Sequence, residues 1–412
     1  MNEKKKYNPL EDILQKVNGN FISLVDEEVK KNNKLLKALL NEMIQKMKES
    51  DPLFELLYEE CFYGGSFYDG LKVSRPDEYD IHMLMKIPPV ISKKICNSDT
   101  PGFVYVECSN VEKLDDKYKV FKNWLTGEKN HMNALKIRQW MEGIFSKAMK
   151  KLSENNSGFL TKYKIKEQRI RKNGPAFTVK MELGKNTIDV DLVPCFIFEE
   201  KYWPGTPFRP NPIESKPNFS IVPKSPKHGQ GDVSELWLLN FQLQERELIN
   251  DKAFLKPSIK LLKKLRDKYD HKVIASYYIK NIALWLIEEK RKEKDFWTQS
   301  LSYMFMMVLQ KYLDCLKQQK IPYYWNEAYN FIDTLNNSTI DPKTIVNIEN
   351  VVKKMIDDIE RNLENNPSVI LKYLLTKEEM TRYTQEEEEE EETYYQQTLG
   401  QPQENQVRCV II

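Results

Sequence analysis

The chain has 412 residues, 41% of them hydrophobic, with a formal charge of +2 and six cysteines. This is enough apolar material for a two-lobed core, while a mean hydropathy of −0.62 and the lack of any run of about 18 apolar residues exclude a membrane span. Met1 to Lys6 is basic but runs into polar residues, unlike an export signal, and the scattered cysteines lack ligand spacing, as suits reduced thiols in the cytoplasm.

Residues 1–20 are assigned to a flexible N-terminus. From about Ser23 to Glu49, Leu36, Leu39, Leu40, Met43, Ile44 and Met47 recur at helical spacing with lysines opposite, which predicts a long helix leading into a Gly-Gly-Ser turn. At that turn Gly64 and Gly65 remove side chains so that backbone amides can approach an anion. Ser66 adds a hydroxyl at the start of a helix, where amides and dipole favour phosphate. Glu78 to Ile87 reads as a strand that projects Glu78 and Asp80 from one face. Strands over Phe103–Cys108, Phe177–Leu183 and Thr187–Val193 complete a mixed sheet. The last carries Asp189 and Asp191 on one face, and alternation does not choose between them.

A proline-rich stretch from Pro204 to Pro226 is read as the crossing to a second lobe. That lobe is helical, with helices over Ile259–Lys268, Ala275–Glu289 and Leu301–Leu316 and an amphipathic segment from Ile345 to Leu363. Glu386 to Glu392 is an unbroken acidic run with no apolar pattern and is expected to be disordered. The chain ends in Cys409-Val410-Ile411-Ile412, the form of a prenylation signal on Cys409. The nearby negative charge opposes anionic lipid, so this ending implies at most weak membrane association.

A phosphate-cradling turn, paired acids and a third acid on a later strand make the layout of a metal-dependent nucleotidyltransferase. Magnesium takes oxygen ligands, and a two-metal site steadies both the attacking and the leaving oxygen of an in-line displacement. The plainer alternative is that these acids are solvated strand-edge charges. Charge adds a second clue. Residues 381–412 hold eight glutamates against two arginines, which leaves +8 on the first 380. Basic residues cluster at Lys30, Lys31, Lys34 and Lys37, at Lys147, Lys150 and Lys151, between Lys162 and Lys172, and between Lys260 and Lys268, a footprint suited to a phosphate backbone.

Gly65-Ser66, Glu78-Tyr79-Asp80, Gly174-Pro175-Ala176-Phe177-Thr178, Val190-Asp191-Leu192, Phe219 to Lys224, Glu235-Leu236-Trp237 and Tyr329-Asn330-Phe331 together resemble the cyclic GMP-AMP synthase family, specifically the cGAS-like receptors of invertebrates, over roughly residues 20–335. The resemblance implies an α+β, bilobal nucleotidyltransferase fold: a mixed-sheet catalytic lobe with a long spine helix (21–215), a helical C-terminal lobe (216–375) and an acidic tail (376–412). It selects Asp191 over Asp189 as the third metal ligand, with Glu78 and Asp80, for two Mg2+ or Mn2+. It maps a base-stacking tyrosine onto Tyr277 and substrate-contacting lysines onto Lys224, Lys260 and Lys280, beside Gly65 and Ser66.

Two departures from the vertebrate DNA sensor qualify it. Leu238, Leu239 and Asn240 stand where an arginine and a serine are found, which removes a guanine-contacting cation. Between Ile249 and Lys260 there is no cysteine or histidine, so no zinc is expected. The implied activity is synthesis of a cyclic dinucleotide from ATP and/or GTP in antiviral innate immunity, switched on by double-stranded RNA. The alternatives are a catalytically silent scaffold of the same fold and a linear oligonucleotide transferase.

Overall fold

A computed structural model of the chain describes residues 3–154, 166–167, 176–183, 186–226, 233–336, 341 and 343–399. Cys409, Gly174, Pro175 and most of the basic cluster between 162 and 172 lie outside the described residues.

One mixed sheet organises the first half. Its strands are β1 (Tyr58–Gly64), β2 (Glu78–Met85), β3 (Ser92–Asn97), β4 (Phe103–Ser109), β5 (Leu125–Thr126), β6 (His131–Met132), β7 (Lys166–Glu167), β8 (Phe177–Leu183), β9 (Asn186–Phe198), β10 (Phe219–Val222) and β11 (Trp237–Asn240). The main path runs β1-β2-β9-β10-β11-β4-β6-β5, with β3 on β4 and β8 on β9. Strand β9 is central because it is long: its first half pairs with β8 and its last residues with β10, while β2 lies parallel along its other edge.

The helices used below are α1 (Glu11–Phe21), α2 (Asp26–Lys48), α3 (Gly65–Tyr68), α4 (Ala134–Glu154), α5 (Gln242–Asn250), α6 (Leu255–Lys268), α7 (Ser276–Glu289), α8 (Leu301–Lys317), α9 (Lys343–Asn362) and α10 (Lys377–Leu399). The spine helix forms as its apolar stripe predicts: Leu36, Leu39, Leu40, Met43 and Met47 are buried and Lys30, Lys31, Lys34 and Lys37 are exposed. It does not enter the Gly-Ser turn directly, since a short helix, Pro52–Leu57, and β1 intervene. The helical half begins later than residue 216, because β10 and β11 still pair with the sheet.

Both termini depart from expectation. The segment assigned to a flexible N-terminus forms α1, whose Leu14, Val17 and Phe21 make a buried stripe that Leu10, just before the helix, extends. The Glu11 carboxylate accepts from the Leu301 and Ser302 amides at 3.2 and 2.7 Å and so caps α8. The acidic run expected to be disordered lies within α10. That helix starts from a reciprocal cap, in which the Thr376 amide donates to Glu379 Oε2 and the Glu379 amide to Thr376 Oγ1 at 2.9 and 3.2 Å. Tyr383 is 3% exposed against Phe21, and Lys16 pairs with Glu390 at 2.9 Å. Glutamate is a good helix former, so a docked first half can carry the exposed run onward. Among the described residues no helix is long and apolar enough to cross a membrane.

Docking of α10 on α1 makes Tyr383 a core residue, so Tyr383→Ala is expected to cost about 3 kcal/mol in urea unfolding and to speed amide exchange over residues 377–385. An unchanged midpoint and exchange pattern would contradict the docked tail.

Candidate active site

Strand register brings the acids together. Gly64 lies opposite Asp80 in the antiparallel pair β1/β2, Asp80 opposite Asp191 in the parallel pair β2/β9, and Asp191 opposite Thr178 in β8. Residues opposite one another share a face of a sheet, so this row presents Asp80, Asp191 and Thr178 together beside the end of β1. Thr178 Oγ1 donates to Asp191 Oδ1 at 2.5 Å, which confirms the shared face. Two residues back, Glu78 lies opposite Asp189 and Asp189 opposite Lys180, whose ammonium is 3.9 Å from the Asp189 carboxylate. Asp191 is thus the acid aligned with Asp80 and the turn, and Asp189 stands one row away.

The turn is shaped by the same row. Gly65 has φ +72°, and a Cβ there would meet Asp80 Oδ2 at 1.8 Å, so the carboxylate occupies the space that a side chain would need. At Gly64 a Cβ would meet Gln242 Oε1 at 2.4 Å. The Gly65 amide donates to that oxygen at 3.3 Å. Ser66 follows on α3, half-buried.

Burial, reinforced by Glu78 and Asp191, pushes the Asp80 carboxyl up to about 6. Among the described residues no cation pairs with Asp80. The exposed Glu78 carboxylate accepts from Lys72 Nζ at 3.0 Å, and the same lysine pairs with Asp77 at 2.8 Å. Burial opposes the charge on Lys72, but these two carboxylates hold it above the ordinary lysine range. Among the described residues no three acid, thiol or imidazole side chains stand close enough together to hold a metal ion in this arrangement. The donor set nevertheless suits a hard cation. Asp80 and Asp191 are adjacent carboxylates whose mutual repulsion a cation would relieve, and Glu78, 56% exposed in its side chain, lies two residues before Asp80 on the same strand. His82, next along this face of β2, is buried, pulled down to about 4 by that burial, and hydrogen-bonded to Asn240 at 3.2 Å, so it is a neutral packing partner at pH 7.

The remaining expected residues divide. Tyr277, in the first turn of α7, keeps 38% of its surface open while its hydroxyl donates to the buried Glu245 at 2.7 Å. The ring is partly exposed, lying 5.9 Å from the Phe331 ring in a T-shaped contact and 6.4 Å from the Tyr323 ring, and the polar end is anchored. Lys260 is half-buried on the face of α6 that carries Lys256 and Lys263. That face rests on the segment after the turn, where Lys256 packs on Gly70 and Lys263 donates to the Leu71 carbonyl at 2.6 Å. Burial and then Lys256 lower Lys260 from its ordinary value. Lys224 stands exposed beyond β10.

Lys280 is corrected: it is buried, with Nζ 2.7 Å from Asp69 and 2.8 Å from Glu245. Two internal carboxylates take up its charge, so it is not an open contact for a nucleotide. Lys263 and Lys264, counted among a surface basic cluster, are likewise internal, the latter paired with Glu379 at 2.6 Å. Leu239, one of the three residues that stand where an arginine and a serine are found in the vertebrate DNA sensor, is buried in the core.

Sequence reasoning missed Thr178, Lys72, Asp69, Glu245, Gln242 and Arg246. Thr178 was recoverable, because β8 and β9 form a hairpin and Thr178 and Asp191 are equally distant from its turn. Lys72 pairs locally with Asp77 and Glu78, whereas nothing local marks Asp69, Glu245, Gln242 and Arg246, whose roles arise from helices packing on the turn.

The Mab-21 protein nucleotidyltransferase domain matches residues 67–251, and the Mab-21 protein HhH/H2TH-like domain matches residues 254–349. A cyclic GMP-AMP synthase-like receptor of Aethina tumida is 38% identical over 92% of this chain and 94% of its own length. One of Tribolium castaneum is 40% identical over 91% and 94%, and one of Trichogramma pretiosum 32% identical over 88% and 75%. With its mixed sheet, helical second half and aligned acids, the chain belongs to the cyclic GMP-AMP synthase-like receptor family of Mab-21-type nucleotidyltransferases.

Proposed function

We propose that this nucleotidyltransferase joins ATP and/or GTP into a cyclic dinucleotide when double-stranded RNA binds it, as an antiviral signal in the cytoplasm, with weak membrane association through a prenylated Cys409. The observation that carries the reading is the row Gly64, Asp80, Asp191 and Thr178, which sets two buried-side carboxylates against a glycine turn able to take phosphate. The similarity to cyclic GMP-AMP synthase-like receptors of Aethina tumida and Tribolium castaneum supports the same reading.

Glu78, Asp80 and Asp191 would hold two Mg2+ or Mn2+, which when bound neutralise phosphate charge and activate the attacking hydroxyl. Thr178 fixes the rotamer of Asp191 by its hydrogen bond. Gly65 and Ser66 cradle the triphosphate with amide and hydroxyl donors, and Gln242 must release the Gly65 amide for phosphate to take its place. The open ring of Tyr277 offers a platform for a base, with Lys260 and Lys224 as cationic contacts to the phosphates. A 2' or 3' hydroxyl held in line with the α phosphate then displaces pyrophosphate, and a second round closes the ring. Rate enhancement here is positioning and charge neutralisation, so an activator can act by ordering the site. The exposed lysines of α2 and Lys147 and Lys150 of α4, two helices that pack together, supply the charge that would hold a duplex.

Purified protein with ATP, GTP and Mg2+ or Mn2+ is expected to form a phosphatase-resistant product only when long duplex RNA is added, and Glu78→Ala or Asp80→Ala to lower the rate by at least ~100-fold. A phosphatase-sensitive product would indicate a linear transferase; no nucleotide consumption under any condition would indicate a silent scaffold.

Because the folded state raises the Asp80 carboxyl to about 6, above its ordinary value, its charge opposes folding at neutral pH in the absence of metal. Metal-free Asp80→Asn should therefore melt higher than the unsubstituted protein at pH 7. The gap should shrink as pH falls through about 6 and vanish near ~4, where the carboxyl is protonated in folded and unfolded chains alike. A gap that is absent at pH 7, or that grows on acidification, would contradict the raised carboxyl.

A further inference from the structure

The buried charge cluster behind the turn has a role that burial alone does not explain. Asp69 ends α3, and its amide donates to the Gly65 carbonyl at 3.1 Å, so its backbone belongs to the turn itself. Each of its carboxylate oxygens is taken by a different helix: Oδ1 by Arg246 Nε of α5 at 3.0 Å, and Oδ2 by Lys280 Nζ of α7 at 2.7 Å. Arg246 also donates through Nη2 to the Tyr63 carbonyl at 2.7 Å. One guanidinium thus grips the residue before Gly64-Gly65 and, through Asp69, the segment after Ser66. From Lys280 the network continues to Glu245 at 2.8 Å. The Glu245 carboxylate accepts from the Tyr277 hydroxyl at 2.7 Å and from Trp325 Nε1 at 2.9 Å. Two cations balance two anions, and Asp69, Glu245 and Lys280 are all buried.

We propose that Asp69 is a positioning residue: through Lys280 and Glu245 it fixes the distance between the glycine turn and the Tyr277 ring, so that triphosphate and base of one nucleotide are recognised together. This rests on the reading of the turn and Tyr277 as the two halves of a nucleotide site. A hydrophobic contact would join the lobes equally well. A chain of charge-assisted hydrogen bonds closed by the Lys280–Glu245 ion pair also sets orientation, which a site that reads two ends of one ligand requires. Burial would pull Lys280 down, but Glu245 and Asp69 hold it above the ordinary lysine range, so the link stays charged across the physiological range.

The test compares the affinities of the full-length chain, with Mg2+ and long duplex RNA present, for α,β-methylene-ATP and for inorganic tripolyphosphate by calorimetry. In the unsubstituted protein the nucleotide should bind tighter by about tenfold or more, the worth of a stacked base. Tyr277→Ala should erase that preference. Asp69→Asn, nearly isosteric and remote from the base, should cut it by ~5-fold, and Tyr277→Phe, which keeps the ring and removes only its anchor, by ~3-fold. A purely structural cluster would lower the melting temperature of Asp69→Asn and leave the preference whole, which would overturn the coupling. A preference that is absent at the start, or untouched by Tyr277→Ala, would remove the base platform and the coupling with it, a different result from the loss of coupling alone.

Discussion

Two carboxylates held side by side are the constraint around which the candidate site is built. Asp80 and Asp191 are direct neighbours across β2 and β9, and strands lie about 5 Å apart, so two full charges there would repel by about 3 kcal/mol at an effective dielectric constant near ~20. Thr178 relieves only part of this by donating to Asp191, and Glu78 is the neighbour that adds to it. The cations of the proposed function would offset that repulsion. The sheet holds the acids rigidly because each sits inside a paired strand, and the hairpin of β8 and β9 braces the far side of the row.

The turn depends on the same row. Asp80 fills the volume over Gly65, so the glycine and the acid are one feature: no other residue fits at 65 while the carboxylate stands where it does. The helical half then fixes the turn from behind. Arg246 and Gln242 reach it from α5, Lys263 from α6 and Lys280 from α7. Residues of the second half therefore touch the glycine turn as directly as the sheet that bears the acids, and a displacement of the helices would reach the turn through these polar contacts.

How much of this was legible follows from how local each signal is. The strand of Glu78 and Asp80, the strand of Asp191, the spine helix and the helices of the second half announced themselves by period, because one face of each is buried in the core. β10 and β11, four residues each, were too brief to show a period, which displaced the boundary between halves, and β1 is longer but has no alternating burial. α1 was hidden by its polar residues, although Leu10, Leu14, Val17 and Phe21 hold helical spacing. Thr376 and Glu379 gave a capping signal for α10 that the glutamate run obscured. In the site, the acids and glycines were readable because chemistry restricts which residues can serve. Lys280 was misjudged because its neighbours in space, Asp69 and Glu245, are far from it in the chain, and only the fold shows that its charge is used internally.

The most direct test of the acid row is Mn2+ binding followed by electron paramagnetic resonance with full-length protein. The unsubstituted chain should bind the ion, and Asp191→Asn should weaken binding at least ~10-fold while Asp189→Asn weakens it by less than ~3-fold. Equal binding by the unsubstituted chain and Asp191→Asn, or no binding at all near pH 7.5, would contradict a cation site between β2 and β9.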